Sequence, residues 1–146
     1  MRPETEAELA DLVRAARAPL SPLGGGTRLR PGEGAGTRLD LSALSGVVLY
    51  EPAALTLVVR AGTPLAEVQA VLAEERQMLA FEPDARDGST IGGVAAANAS
   101  GPRRVQAGAC RDAMLGLRFV DGTGEIVRNG GRVMKNVTGL DLVKLM

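Results

Sequence analysis

The sequence predicts an α+β fold, and three observations lead to it. Residues 6–17 carry apolar side chains at helical spacing, the short branched stretch LTLVVR at 55–60 has the form of a strand, and two glycine-rich segments, 24–27 and 88–101, punctuate the alternation of elements. A chain of 146 residues can bury a core without covalent staples. No internal repeat or linker interrupts it, so it is read as one folding unit whose approximate lobes are residues 1–60 and 61–146.

Each element has its own local cause. Thr5 with Glu8 three residues on forms a capping box, and Ala7, Leu9, Leu12, Val13 and Ala16 follow at helical intervals, predicting a helix over 6–17. A short strand at 19–23 leads into the first glycines, and 39–41 and 47–51 are further extended pieces. Residues 55–60 are the strongest strand signal in the chain. Thr63 followed by Pro64 has the form of an N-cap with proline at the first helical position, and Leu65, Val68, Leu72 and Glu75 carry that helix to Arg76. Residues 78–90, with their breakers and charges, predict loop. The alanines at 95–97 predict a short helix, and 115–120 and 125–128 flank Asp121-Gly122-Thr123-Gly124 as a hairpin.

Composition removes several classes of function. Seventeen acidic side chains balance seventeen basic ones, which removes the electrostatic footprint of a nucleic-acid binder. Tyr50, Phe81 and Phe119 are the only aromatics, too few for a base-stacking platform. With no histidine and a single cysteine, neither a His/Cys metal site nor a Ser/His/Asp triad can be assembled from these residues, so redox or hydrolytic chemistry must be supplied from outside them. Cys110 has no partner for an intramolecular disulfide and suits a reducing compartment as a small buried thiol. No apolar run approaches the ~20 residues of a membrane span, and the opening MRPETEAELADL is too acidic for a signal peptide. The expected location is therefore cytoplasmic.

The glycines carry the functional signal. A strand running into Gly24-Gly25-Gly26-Thr27 presents backbone N–H groups unobstructed by Cβ atoms, as an anion requires. The stretch lacks the lysine of a GxxxxGK[ST] loop and the order of GxGxxG, so taken alone a tight turn and an anion cradle are equally good readings. In the second stretch, GSTIGGVAAANASGPRR at 88–104, Ser89 and Thr90 offer hydroxyls, Gly92 and Gly93 permit close approach, and the alanines let a flat ligand lie against a short helix. A small-residue helix packed tightly on a strand would explain the alanines but not the hydroxyl-and-glycine entry. Two such cradles suggest a diphosphate held between them.

The stretches AGTPLAEVQAVLAEERQMLAFEPD (61–84), GGVAAANASGPRRVQAGACRDAMLGLRFVDGTG (92–124) and GGRVMKNVTGLDLVKLM (130–146) together resemble FAD-binding domains of the vanillyl-alcohol oxidase and p-cresol methylhydroxylase type. Within that superfamily they are similar to the FAD-binding E subunits of bacterial glycolate oxidases, GPRR and MKNVTG being the most discriminating segments. The resemblance implies a two-lobed FAD-binding domain, truncated at its C-terminal end. It assigns Gly24, Gly25, Gly26, Thr27 and Arg28 to one side of the FAD diphosphate, and Gly88, Ser89, Thr90, Gly92, Gly93, Asn98, Ser100 and Gly101 to the other. Arg28 or Arg104 could neutralise the phosphates with a bidentate fork, or serve at the surface or between subunits.

By the same resemblance the activity is oxidation of a 2-hydroxy acid, glycolate to glyoxylate, with a sister flavoprotein subunit and an iron-sulfur subunit as partners, a possible peripheral membrane association through that complex, and the catalytic base outside these residues. The alternatives are an assembly subunit that keeps the flavin fold as a scaffold, or another FAD enzyme such as a D-lactate dehydrogenase or an alditol oxidase. Two departures stand out. Leu140 replaces a tyrosine of the family pattern, and without histidine FAD cannot be linked through one, so non-covalent binding is expected. Similar proteins continue past the equivalent of Met146 into a segment that closes over the cofactor. The 146-residue chain on its own is therefore expected to retain little FAD on purification, and a yellow preparation that survives dialysis would show the two loops to be sufficient.

Overall fold

The computed structural model describes residues 1–30, 32–131 and 141–145. Leu140 and the whole segment MKNVTG lie outside the described residues.

The first helix, α1 (Glu6–Ala15), starts where the capping box predicts: Thr5 Oγ1 accepts from the N–H of Glu8 at 3.1 Å. The Glu8 carboxylate reaches back one residue further than a capping box requires, to the N–H of Glu4 (2.8 Å). The helix ends two residues before the predicted boundary because Ala16 is already extended, on the approach to Pro19. Strand β1 (Leu20–Leu23) then pairs in parallel with β2 (Thr37–Asp40), Leu20 opposite Thr37, and the first glycine loop leaves from the end of β1.

Strand β3 (Val47–Glu51) runs antiparallel to β4 (Thr56–Val59) across a 3₁₀ turn at Pro52–Ala54. The expected strand at 55–60 is shorter than the apolar run. Leu55 adopts a left-handed conformation (φ 51°), donates its N–H to the carbonyl of Pro52 and is 78% exposed, because the reversal needs one residue to close it. Thr63 is corrected as well. Helix α2 (Leu65–Glu74) begins after Pro64, and Thr63, fully buried, does not cap it. The Thr63 hydroxyl instead donates to the carbonyl of Arg60 (2.7 Å) and accepts from the N–H of Gly46 (2.8 Å), tying the start of β3 to the turn after β4. The first helical N–H, that of Leu65, is taken by the carbonyl of Ser89 at 2.8 Å.

After the loop at 78–90 come α3 (Ile91–Ala96), α4 (Arg104–Ala107) and α5 (Cys110–Ala113), then the hairpin of β5 (Gly116–Val120) and β6 (Ile126–Gly130), and finally α6 (Leu142–Leu145). In the hairpin turn, Asp121 Oδ1 accepts from the N–H groups of Thr123 and Glu125 and from the Thr123 hydroxyl. These bonds, the hydroxyl first, hold its carboxyl below the usual carboxylate range. Helix α1 packs against this hairpin through Arg118–Glu6 (2.6 Å) and Arg14 donating to the carbonyl of Gly124 (2.9 Å).

Leu65, Phe81, Val94 and Cys110 form the buried cluster behind the second glycine stretch, with Leu79, Ile91, Ala95, Ala99 and Met114 packed on it. Burial pushes the Cys110 thiol up to about 11. Alkylation at neutral pH should therefore be slow in the native protein and fast after denaturation, as a thiol-reagent time course with and without urea would show. Thr63→Val keeps the shape of the side chain but orphans the Gly46 N–H, and should lower the unfolding free energy by about 2 kcal/mol in a urea titration.

Candidate functional site

The two glycine loops, sixty-odd residues apart in sequence, lie against each other. A Cβ on Gly25 would overlap the carbonyl oxygen of Gly88, and one on Gly24 would overlap Thr90 Oγ1. Across this seam Thr27 Oγ1 and Ser89 Oγ are 3.0 Å apart, and Arg28 Nη1 donates to Ser89 Oγ at 2.7 Å and to Thr27 Oγ1 at 3.2 Å. Ser89 and Thr90 are buried, at 3% and 6% exposure, so their hydroxyls belong to the seam and not to the surface.

The second loop is stitched to the segment that follows β4. Thr63 and Ala61 offer carbonyls to the N–H groups of Ile91 (2.9 Å) and Gly92 (2.8 Å), and Pro64 bridges Thr90 in antiparallel fashion. Thr90 Oγ1 then caps α3 by accepting from the N–H of Gly93 at 3.3 Å. Gly92 is small because Ala61 lies against it, at 2.7 Å from where a Cβ would sit.

These contacts revise the reason for the bare backbone. Gly24 and Gly25 are glycines because the second loop occupies the space of their side chains. Gly26 differs, since no atom lies within 4 Å of the place of its Cβ and its φ of 67° is the left-handed turn expected of one of the three. Among the described residues, the N–H groups of Gly24, Gly25, Gly26, Thr27 and Arg28 donate to no other residue. Five consecutive donors without a partner, beside the Arg28 guanidinium, have the chemistry of an anion site. A phosphate fits that donor set.

The remaining expected site residues sit further along. Asn98, at φ 44°, accepts on Oδ1 from the N–H of Arg111 (3.0 Å), and Ser100 Oγ accepts from the N–H of Cys110 (3.0 Å). Gly101 donates to the carbonyl of Phe81 (2.9 Å) in a gap where a Cβ would overlap the Glu82 carbonyl oxygen. Arg104 is exposed on α4. Asn98, Ser100 and Gly101 thus lock the turn between α3 and α5, and among the described residues no hydrogen bond joins them to the first loop. Sequence reading missed Asp84 and Arg86, which reach the first loop from the edge of the second. A DxR pair in a charged loop resembles any solvated surface, and nothing in its spacing marks it.

The family described as FAD binding domain matches residues 1–130. Glycolate oxidase subunit GlcE of Escherichia coli is 44% identical over 112 residues, 76% of this chain and 32% of the relative. Glycolate oxidase subunit GlcD of Bacillus subtilis is 34% identical over 88% of this chain and 28% of its own length. D-2-hydroxyglutarate dehydrogenase of Xanthomonas citri pv. viticola is 33% identical over 99% of this chain and 32% of its own. Alkyldihydroxyacetonephosphate synthase superposes with a TM-score of 0.75 at 21% identity, over 99% of this chain and 27% of that one, which shows a shared fold. The chain spans about a third of the length of the curated relatives it matches.

The different surroundings of two neighbouring glycines make them separable. Gly25→Ala meets main chain that cannot swing aside, and should cost about 3 kcal/mol of unfolding free energy. Gly26→Ala meets open space and carries only the left-handed backbone penalty, about 1 kcal/mol. Urea midpoints of the two variants check the order.

Proposed function

For a chain that belongs to the FAD binding domain family, we propose that the two loops hold the diphosphate of FAD non-covalently, within a flavin-dependent oxidoreductase of 2-hydroxy acids that converts glycolate to glyoxylate. The observation that carries this is the run of five N–H groups at 24–28 that have no partner among the described residues, backed by Arg28 and bordered by the buried hydroxyls of Ser89 and Thr90. FAD, when bound, supplies the hydride chemistry. The roles of these residues are to bind and to orient. The loop donors take phosphate oxygens, Arg28 adds a charged fork, and Gly88, Gly92 and Gly93 keep the second loop low enough for a ligand to lie over α3. Asn98, Ser100, Gly101 and Arg104 extend the proposed site beyond α3, with Arg104 as an exposed cation. The loops fall one on each of the proposed lobes, 1–60 and 61–146, so the cofactor would lie at their junction.

The names of the similar proteins support the wider setting. Two are called subunits of a glycolate oxidase, and others D-lactate and D-2-hydroxyglutarate dehydrogenases. On that basis the proposal includes a sister flavoprotein subunit as a partner; an iron-sulfur subunit, and a cytoplasmic location with association to the membrane only through the complex, are proposed from the sequence resemblance and composition alone. Among the described residues no helix is long and apolar enough to cross a membrane.

The decisive experiment is titration of the apoprotein with FAD, followed, in the complex assembled with the proposed partner subunits, by anaerobic addition of glycolate and, separately, D-lactate. The expected result is saturable binding with a perturbed flavin spectrum, weakened roughly tenfold or more by Arg28→Gln through loss of a charged hydrogen bond, and bleaching by glycolate in preference to D-lactate. Absence of FAD binding would favour a scaffold subunit. Bleaching by D-lactate alone would move the substrate assignment.

A further inference from the structure

Two arginines cross the seam in opposite directions. Arg28, on the first loop, donates from Nη2 to the carbonyl oxygen of Asp84 at 2.5 Å as well as to Ser89. Arg86, just before the second loop, donates from Nη1 to the carbonyl oxygen of Thr27 at 2.9 Å, while its Nε is held by Asp84 Oδ2 at 2.7 Å. Each arginine grips a main-chain carbonyl on the opposite side, and Asp84 is the shared anchor, its carbonyl taking Arg28 and its carboxylate taking Arg86.

We propose that Arg86 is a positioning residue for the anion cradle, acting through the peptide between Thr27 and Arg28. This rests on the reading of residues 24–28 as a diphosphate loop. In a planar trans peptide the carbonyl of one residue and the N–H of the next point to opposite sides. Arg86 holds the Thr27 oxygen, so it sets the direction of the Arg28 N–H, one of the five donors that no described residue uses. The three glycines before Thr27 leave the backbone little intrinsic preference, and a loop of that kind presents its donors together only when something outside it fixes its orientation.

Arginine suits this task. Its planar fork binds the Asp84 carboxylate through Nε and the Thr27 carbonyl through Nη1 at once, which a lysine ammonium cannot reproduce in the same geometry. The Arg86 and Asp84 side chains are 55% and 63% exposed, so their ion pair is screened by solvent and adds little to global stability. The contribution of the clasp is therefore to the order of the loop, and its loss should be visible at the loop before it is visible in the melting temperature.

The test compares the protein with its R86Q and R86K variants by backbone 15N order parameters without ligand and by titration with FAD. In R86Q, the order parameters over 24–28 are expected to fall from the rigid toward the flexible range, and the dissociation constant for FAD to rise roughly tenfold, with the thermal midpoint nearly unchanged. R86K should fall between R86Q and the parent in both readouts, and it carries the test if R86Q fails to fold. Unchanged order parameters and unchanged affinity in the variants would overturn the proposal. So would weaker FAD binding with unchanged order parameters, since Arg86 would then act on the ligand as a charge and not through the loop. A parent protein that binds no FAD would remove the diphosphate reading itself, a failure distinct from any difference between the variants.

Discussion

Two segments of main chain approach so closely at Gly25 and Gly88 that no side chain fits between them, and the arrangement of the surrounding structure follows from that approach. With the backbones in contact, Thr27 and Ser89 come within hydrogen-bonding distance, and Arg28 can span both hydroxyls. The donors of the first loop are then left without partners among the described residues. Unsatisfied N–H groups are costly when buried and useful when they face a ligand. Here they lie on a half-exposed loop, where water satisfies them until an anion takes its place.

The seam is held from behind by the core. Ser89 closes the first turn of α2 with its carbonyl, Leu65 at that turn is almost wholly buried, and Val94 of α3 and Cys110 of α5 complete the same cluster. Displacing the second loop would uncap α2 and open the apolar cluster together, so the loop is more rigid than its glycine content suggests. The fixity of the cradle is tertiary in origin. It comes from where the loop is tied and owes little to the intrinsic preference of the loop residues.

Polar groups throughout the second stretch serve the main chain. Asn98, Ser100 and Asp112 each accept a backbone N–H, from Arg111, Cys110 and Ala109 respectively, which lets the four-residue α5 persist at a length that propensity alone would not stabilise. The N–H of Ala109, above all, holds the Asp112 carboxyl below the ordinary range, with Lys144 of α6 assisting. A side chain that resembles a ligand contact in sequence can thus be a fastener in the fold.

The elements were largely legible because their causes are local. A capping box places the start of α1, a short branched run places β4, and Asp-Gly-Thr-Gly places the hairpin turn within a residue or two. Leu55 and Thr63 were misplaced because each is governed by a neighbour distant in sequence or by the closure of a turn: Thr63 answers to Gly46, and the cap of α2 comes from Ser89. Both cradle loops were visible as glycine with hydroxyls, yet their glycines alone could not say whether a ligand or another loop fills the space of the missing side chains. At Gly24 and Gly25 the other loop fills it, and at Gly26 nothing does. The sequence by itself therefore determined the elements, the family resemblance and the chemistry available to the loops. Only the tertiary structure decided which donors remain free and that Arg86 reaches Thr27, because both depend on contacts between residues about sixty positions apart, which no local pattern encodes.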